Sequence, residues 1–117
     1  MKLEGTGLLV RIYLGESDQW HGRPLYQAIL ERLRERKLAG ATVLRGIEGF
    51  GAKQHLHSTR ILSLSQDLPI LIEVVDTEEK IRAVLPELDE MLADGLMTLE
   101  KVEVIAYRAG DKTSTIA

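Results

Sequence analysis

The order in which two hydrophobic periodicities follow one another constrains this chain more than any other feature. Residues 8–14 alternate with period two. Leu8, Val10, Ile12 and Leu14 fall on one side, and Leu9, Arg11 and Tyr13 on the other, the mark of a strand with two different faces. Gly15-Glu16-Ser17-Asp18 ends this strand, and a loop with Trp20, His21 and Gly22 follows. Pro24 suits a first helical turn, where its missing N–H costs nothing. Tyr26, Ile29, Leu30 and Leu33 then recur with helical spacing. The helix is expected to stop at Gly40, with Arg34, Arg36 and Lys37 near the negative end of its dipole. A second strand over 41–47 leads into glycines at 46, 49 and 51 and a polar, exposed loop over 52–59. Ile61, Leu62 and Leu64 resume extended structure, which continues over 69–75. Pro69 cannot donate to a ladder, so the strand is expected at an edge, bulged or broken there. Asp76-Thr77-Glu78-Glu79 opens the second helix with Asp76 as N-cap. Ile81, Val84, Leu85, Leu88, Met91 and Leu92 form its apolar stripe. Pro86 inside that stripe is expected to kink or split the helix. Asp94-Gly95 closes it, and residues 98–107 form the last strand.

The resulting order, β-α-β-β-α-β, is that of the ferredoxin-like α+β fold. It predicts a four-stranded antiparallel sheet with two helices on one face. With 117 residues there is material for one core. The chain is therefore read as a single domain over 1–117, its core at about 6–108 and a polar tail over 109–117. Aromatics make up 4% of the residues, which leaves the core to Leu, Ile and Val. The second face of the sheet carries Leu9, Tyr13 and Leu71 among Arg11 and Glu73. Such a face is too apolar for water and too polar for a monomer core, so an oligomer is expected.

Composition narrows the function classes. The chain has no Cys, which excludes disulfides, thiolate metal ligands and a thiol nucleophile. A net charge of −3 argues against a nucleic-acid partner, which would need a basic face. Tyr13 and Tyr107 are the only strand aromatics that could stack on bases. No apolar run approaches the ~18 residues of a membrane span, and the opening Met1-Lys2-Leu3-Glu4-Gly5 carries no signal-peptide core. The expected location is the cytoplasm, without insertion into a membrane.

Several segments, in order, resemble one family. They are Arg11-Ile12-Tyr13-Leu14-Gly15-Glu16-Ser17-Asp18, then Gly40-Ala41-Thr42-Val43-Leu44-Arg45-Gly46-Ile47-Glu48-Gly49-Phe50-Gly51, then His57, Leu64-Ser65-Gln66-Asp67-Leu68-Pro69, and Val75-Asp76 with Lys80-Ile81. The chain is identified on these as a member of the uncharacterised PII-like domain-of-unknown-function family, related in fold to the nitrogen regulatory PII signalling proteins. The resemblance implies a homotrimer with an adenine nucleotide (AMP, ADP or ATP) in clefts between subunits. It also implies a loop, here 51–60, that acts on a partner such as a membrane transporter or channel. Glu48-Gly49-Phe50-Gly51 is similar to the opening of the PII signalling loop, and Tyr107-Arg108-Ala109-Gly110-Asp111 to its last-strand ending. Ala52-Lys53 stand where PII proteins carry Arg-Gln, and 94–98 lack the PII phosphate-loop set. The first departure removes the likeness for 2-oxoglutarate sensing, leaving Gln54 as a shifted substitute, and the second removes it for ATP binding in the PII manner.

The candidate ligand residues are Arg45, Gly46, Gly49, Phe50, Gly51, Lys53, Gln54, His57, Arg60 and Arg108. The glycines let backbone approach a phosphate, or serve a bulge where the strand leaves the sheet. Lys53, His55, His57 and Arg60 make one segment basic in an acidic chain, as an anionic ligand or simply a solvated loop would require. Arg45 would pair with a phosphate or with an interface carboxylate; Glu16 and Asp18 lie near the same end of the sheet. Asp18 also suits a local turn bond. Trp20 would stack on an adenine or cover the rim of the core or of a subunit contact. His55-Leu56-His57 has the spacing to place two imidazoles on one face, but no metal is expected. His21, His55 and His57 have no Ser or Asp partner set by sequence, so the chain is read as no enzyme. A ligand-free docking oligomer is the alternative, and a small enzyme a more distant one.

Overall fold

The structure is a computed structural model and describes residues 4–51, 57–58 and 67–110. Four strands build the main sheet: β1 (Gly5–Gly15), β2 (Ala41–Arg45), β3 (Pro69–Asp76) and β4 (Leu96–Val104). Two helices, α1 (Leu25–Glu35) and α2 (Glu78–Met91), connect them. The strand order is β2-β3-β1-β4 and every neighbouring pair is antiparallel. This is the expected α+β, ferredoxin-like arrangement. The strands longest in Leu, Ile and Val, β1 and β3, occupy the middle, where both ladder edges are paired.

Register decides which residues become core. Val10 lies opposite Val74, Ile12 opposite Ile72 and Leu14 opposite Ile70, so the period-two sets of β1 and β3 share one face. That face packs on Leu25, Ala28, Ile29 and Leu33 of α1 and Ile81, Val84, Leu88 and Met91 of α2, all buried. Each buried Leu, Ile, Val or Met side chain contributes about 1.5–3 kcal/mol by leaving water, and Ala28 less. Among the described residues, no helix is long and apolar enough to cross a membrane.

Several expected boundaries move. Helix α1 ends at Glu35, well before Gly40. Lys37 takes the left-handed conformation, φ 62°. The Leu38 N–H then donates to the Leu33 carbonyl and the Lys37 N–H to the Arg34 carbonyl, which is the Schellman closure. Leu38 packs back onto the core, and that burial favours stopping early.

The N-cap of α2 is Thr77, whose hydroxyl accepts from the Lys80 N–H at 3.3 Å. Asp76 does not cap. It stays in β3 opposite Leu8 and is fully buried. Its carboxylate accepts from the Thr77 N–H at 2.6 Å and the Ala39 N–H at 2.8 Å, which ties the α1–β2 connection to the end of β3.

Helix α2 runs unbroken through Pro86. Pro86 and Arg82 both lie on its exposed side, so the Arg82 carbonyl that Pro86 cannot serve faces water rather than core. Pro69 is the first residue of β3, a central strand rather than an edge. Strand β2 stops at Arg45. Strand β4 stops at Val104, so Tyr107 lies beyond it, its hydroxyl donating to the Ala39 carbonyl at 3.0 Å. The expected strand at Ile61, Leu62 and Leu64 lies outside the described residues, as does the tail from Asp111.

Candidate functional site

Three strand ends meet at one end of the sheet: the exit of β1, the exit of β2 and the entry of β3. The β1 exit is a turn held by carboxylates. The Gly15 N–H donates to Asp18 Oδ2 at 3.0 Å, and the Ser17 N–H to Asp67 Oδ1 at 3.0 Å. The Glu16 N–H donates to the Leu68 carbonyl at 2.8 Å. Asp18 thus makes the local turn bond, while Asp67 carries the clamp between β1 and β3. Nothing in the spacing of the sequence signals Asp67, because its partner lies fifty residues away.

Arg45 ends β2 opposite Ile70 and its guanidinium pairs with the Glu16 carboxylate. The Arg45 side chain is 58% exposed, whereas that of Glu16 is 19% exposed. The carboxylate arm is packed and the cation reaches toward solvent.

The glycines that follow have a packing reason. The Gly46 N–H donates to the Pro69 carbonyl at 2.7 Å. A Cβ on Gly46 would stand 2.8 Å from Pro69 Cγ, and one on Gly49 at 3.3 Å. Both positions are small because the proline ring lies against them. Gly51 has open space around it. Glu48–Gly49 then pairs with His57–Ser58, Gly49 opposite His57, in a two-residue ladder. Ile47 is 83% exposed and Phe50 70% exposed on either side of this ladder.

The structure therefore brings together Arg45, Gly46, Gly49, Phe50 and Gly51, with the His57 backbone beside them. It does not bring Arg108 to them. Arg108 follows β4, whose last residue Val104 lies opposite Gly5, at the far end of β1. The end of β4 and the end of β2 are thus separated by the stretch of β1 from Gly5 to Leu14, roughly 30 Å at the rise of a strand. Lys53, Gln54, His55 and Arg60 lie outside the described residues.

Trp20 is not free to serve as an adenine platform at this end. It sits on a small hairpin, Gln19–Trp20 against Arg23–Pro24, turned by His21 and Gly22, both at positive φ, as a two-residue primed turn requires. Its ring stacks on His21 with centroids 3.8 Å apart, lies 5.8 Å from the Arg32 guanidinium carbon, and packs against the core. The rim-of-core reading holds.

The uncovered face of the sheet has Arg11 at its centre. Arg11 Nε bonds Glu73 at 3.0 Å and its Nη1 bonds Glu100 at 2.9 Å, a charge ladder across β3, β1 and β4. The Glu73 hydrogen bond, with Glu100 beside it, raises the Arg11 pKa above its ordinary value. Tyr13, Leu44 and Leu96 are exposed around this ladder.

Comparison with known proteins agrees with this architecture. The profile of the DUF190 family, Uncharacterized ACR, matches residues 7–104. A UPF0166 protein of Aquifex aeolicus is 42% identical over 97 residues, which span 83% of this chain and 91% of that one. A UPF0166 protein of Methanocaldococcus jannaschii is 38% identical over 97 residues, 82% of this chain and 89% of its own. Among solved structures, CPII of Thiomonas intermedia K12, a nitrogen regulatory PII-like protein bound to ADP, AMP and bicarbonate, superposes with a TM-score of 0.64. The identity is 15%, over 85% of this chain and 88% of CPII.

Proposed function

This chain belongs to the DUF190 family, and from that premise we propose that it is a PII-like regulatory protein. In this reading it is a cytoplasmic homotrimer that binds an adenine nucleotide (AMP, ADP or ATP) between subunits. It signals to a partner, such as a membrane transporter or channel, through the 51–60 loop.

The observation that carries the reading is the uncovered sheet face. A surface that mixes Tyr13, Leu44 and Leu96 with an Arg11–Glu73–Glu100 ladder is better satisfied against another copy than in water. Association would also bring residues from opposite ends of the sheet, Arg45 and Arg108, into shared clefts that one chain cannot form. The fold likeness to CPII, bound to ADP and AMP, favours a nucleotide as the ligand. Arg45 is the cation placed to meet a phosphate, and Ile47 and Phe50 at the root of the loop offer apolar contact to a partner. Binding transmits a signal only if the ligand prefers one loop arrangement over another.

The test is a thermal-shift series with AMP, ADP, ATP and 2-oxoglutarate, run beside light scattering. A trimer is expected, stabilised by about 2.7 kcal/mol at a hundredfold excess of nucleotide over Kd. Arg45→Ala is expected to weaken binding by about tenfold or more and leave the trimer intact. A trimer that no nucleotide stabilises would instead be a docking oligomer.

A further inference from the structure

Arg45, the cation that the reading above assigns to a ligand phosphate, already has a partner. The Glu16 carboxylate holds it within the same chain. Glu16 is fixed on the backbone side by the bond from its N–H to the Leu68 carbonyl, and its neighbour Ser17 is fixed by Asp67. The turn therefore cannot carry the carboxylate away as a unit. Arg45 is the more exposed partner and hangs from the end of an edge strand. An anion approaching it must displace the Glu16 side chain or share the guanidinium with it, and in either case it works against a negative charge whose backbone is held beside the site. Asp18 stands in the same turn and Asp67 bonds to it from just ahead of β3, and both add to that field.

We propose that Glu16 is a built-in competitor for the anionic group received by Arg45, and that it makes the site discriminate among nucleotides by their number of phosphate charges. The proposal rests on the reading of Arg45 as a phosphate ligand. Coulomb repulsion from Glu16 grows with ligand charge while the Arg45 contribution is shared. Glu16 therefore penalises ATP more than AMP, and removing its charge relieves the more highly charged ligand most.

The experiment is calorimetric titration of the full chain and of Glu16→Gln, each alone and combined with Arg45→Gln. The ligands are AMP, ADP and ATP, and separately phosphate, pyrophosphate and tripolyphosphate. In Glu16→Gln, ATP and tripolyphosphate are expected to bind about two- to fivefold tighter, the range of a partly exposed ion pair. AMP and phosphate should change less, and the gain should vanish with Arg45→Gln. Glu16→Ser gives the same comparison where the amide disturbs the turn. Equal gains for every ligand, no gain, or weaker binding would overturn the proposal. A variant that gains affinity for tripolyphosphate while neither protein takes any adenine nucleotide would uphold the Glu16 role and end the nucleotide reading. No binding of any probe by either protein would end both.

Discussion

Lys37 shows how a single residue ends a helix that its sequence neighbours would continue. The left-handed conformation costs a side-chain-bearing residue roughly 1–2 kcal/mol, and glycine adopts it freely. The protein bears that cost because the turn delivers Leu38 to the core and lets the Lys37 carbonyl accept from the Lys80 ammonium. Lys37→Gly keeps the carbonyl and removes the strain, so it is expected to stabilise the fold by roughly 1 kcal/mol. A denaturant melt checks this; an unchanged or lower midpoint would mean that the side chain itself contributes. Glycine was legible as a helix stop at position 40, but the stop falls at a lysine, since Schellman geometry needs a positive φ and a following apolar residue packed against the core more than it needs a particular residue type. Gly46 and Gly49 are the reverse case. Their smallness was evident, while its cause, the Pro69 ring, lies across the β2–β3 ladder.

At the scale of elements, one carboxylate fastens the two helices. Glu87 of α2 accepts from Arg36 at 2.8 Å through both oxygens and from Arg32 of α1 at 2.8 Å. The Arg36 hydrogen bonds, and after them the one from Arg32, lower the Glu87 pKa against the opposing effect of desolvation, and the Glu87 bonds raise that of Arg36. A carboxylate whose folded-state pKa is depressed stabilises the fold at pH above its unfolded value. That contribution is lost as pH falls through the folded value. Arg36 titrates far above this window and adds nothing to it. Stability is therefore expected to decline as pH drops below the ordinary carboxylate range. Glu87→Gln is expected to lower the melting temperature at neutral pH and to shallow the acid limb. Melting curves across that range check it, and an acid limb of unchanged slope would assign the decline to other carboxylates. The helices were legible from their stripes, whereas this clasp was not. It joins residues more than fifty positions apart, and helical period says which face is buried, not which neighbour lies beside the polar flank.

At the scale of the molecule, the uncovered face is where the proposed trimer is expected to associate. Tyr13 is exposed there between β3 and β4, opposite Leu71 and Leu96. Tyr13→Glu would place a charge where a second copy is expected to sit, and light scattering should then report monomers with an unchanged far-UV spectrum. A trimer that survives the substitution would move the interface to another surface. The two faces of β1, the two apolar helix stripes and the α+β order could all be read from the sequence by itself, because hydrophobic period is local and each strand or helix carries its own. The pairing of Glu16 with Arg45, the clamp of Asp67 on the β1 turn and the separation of Arg45 from Arg108 were decided only by the tertiary structure. Those relations depend on the register and order of strands distant in sequence, and the same local pattern is compatible with many partners until the sheet is assembled.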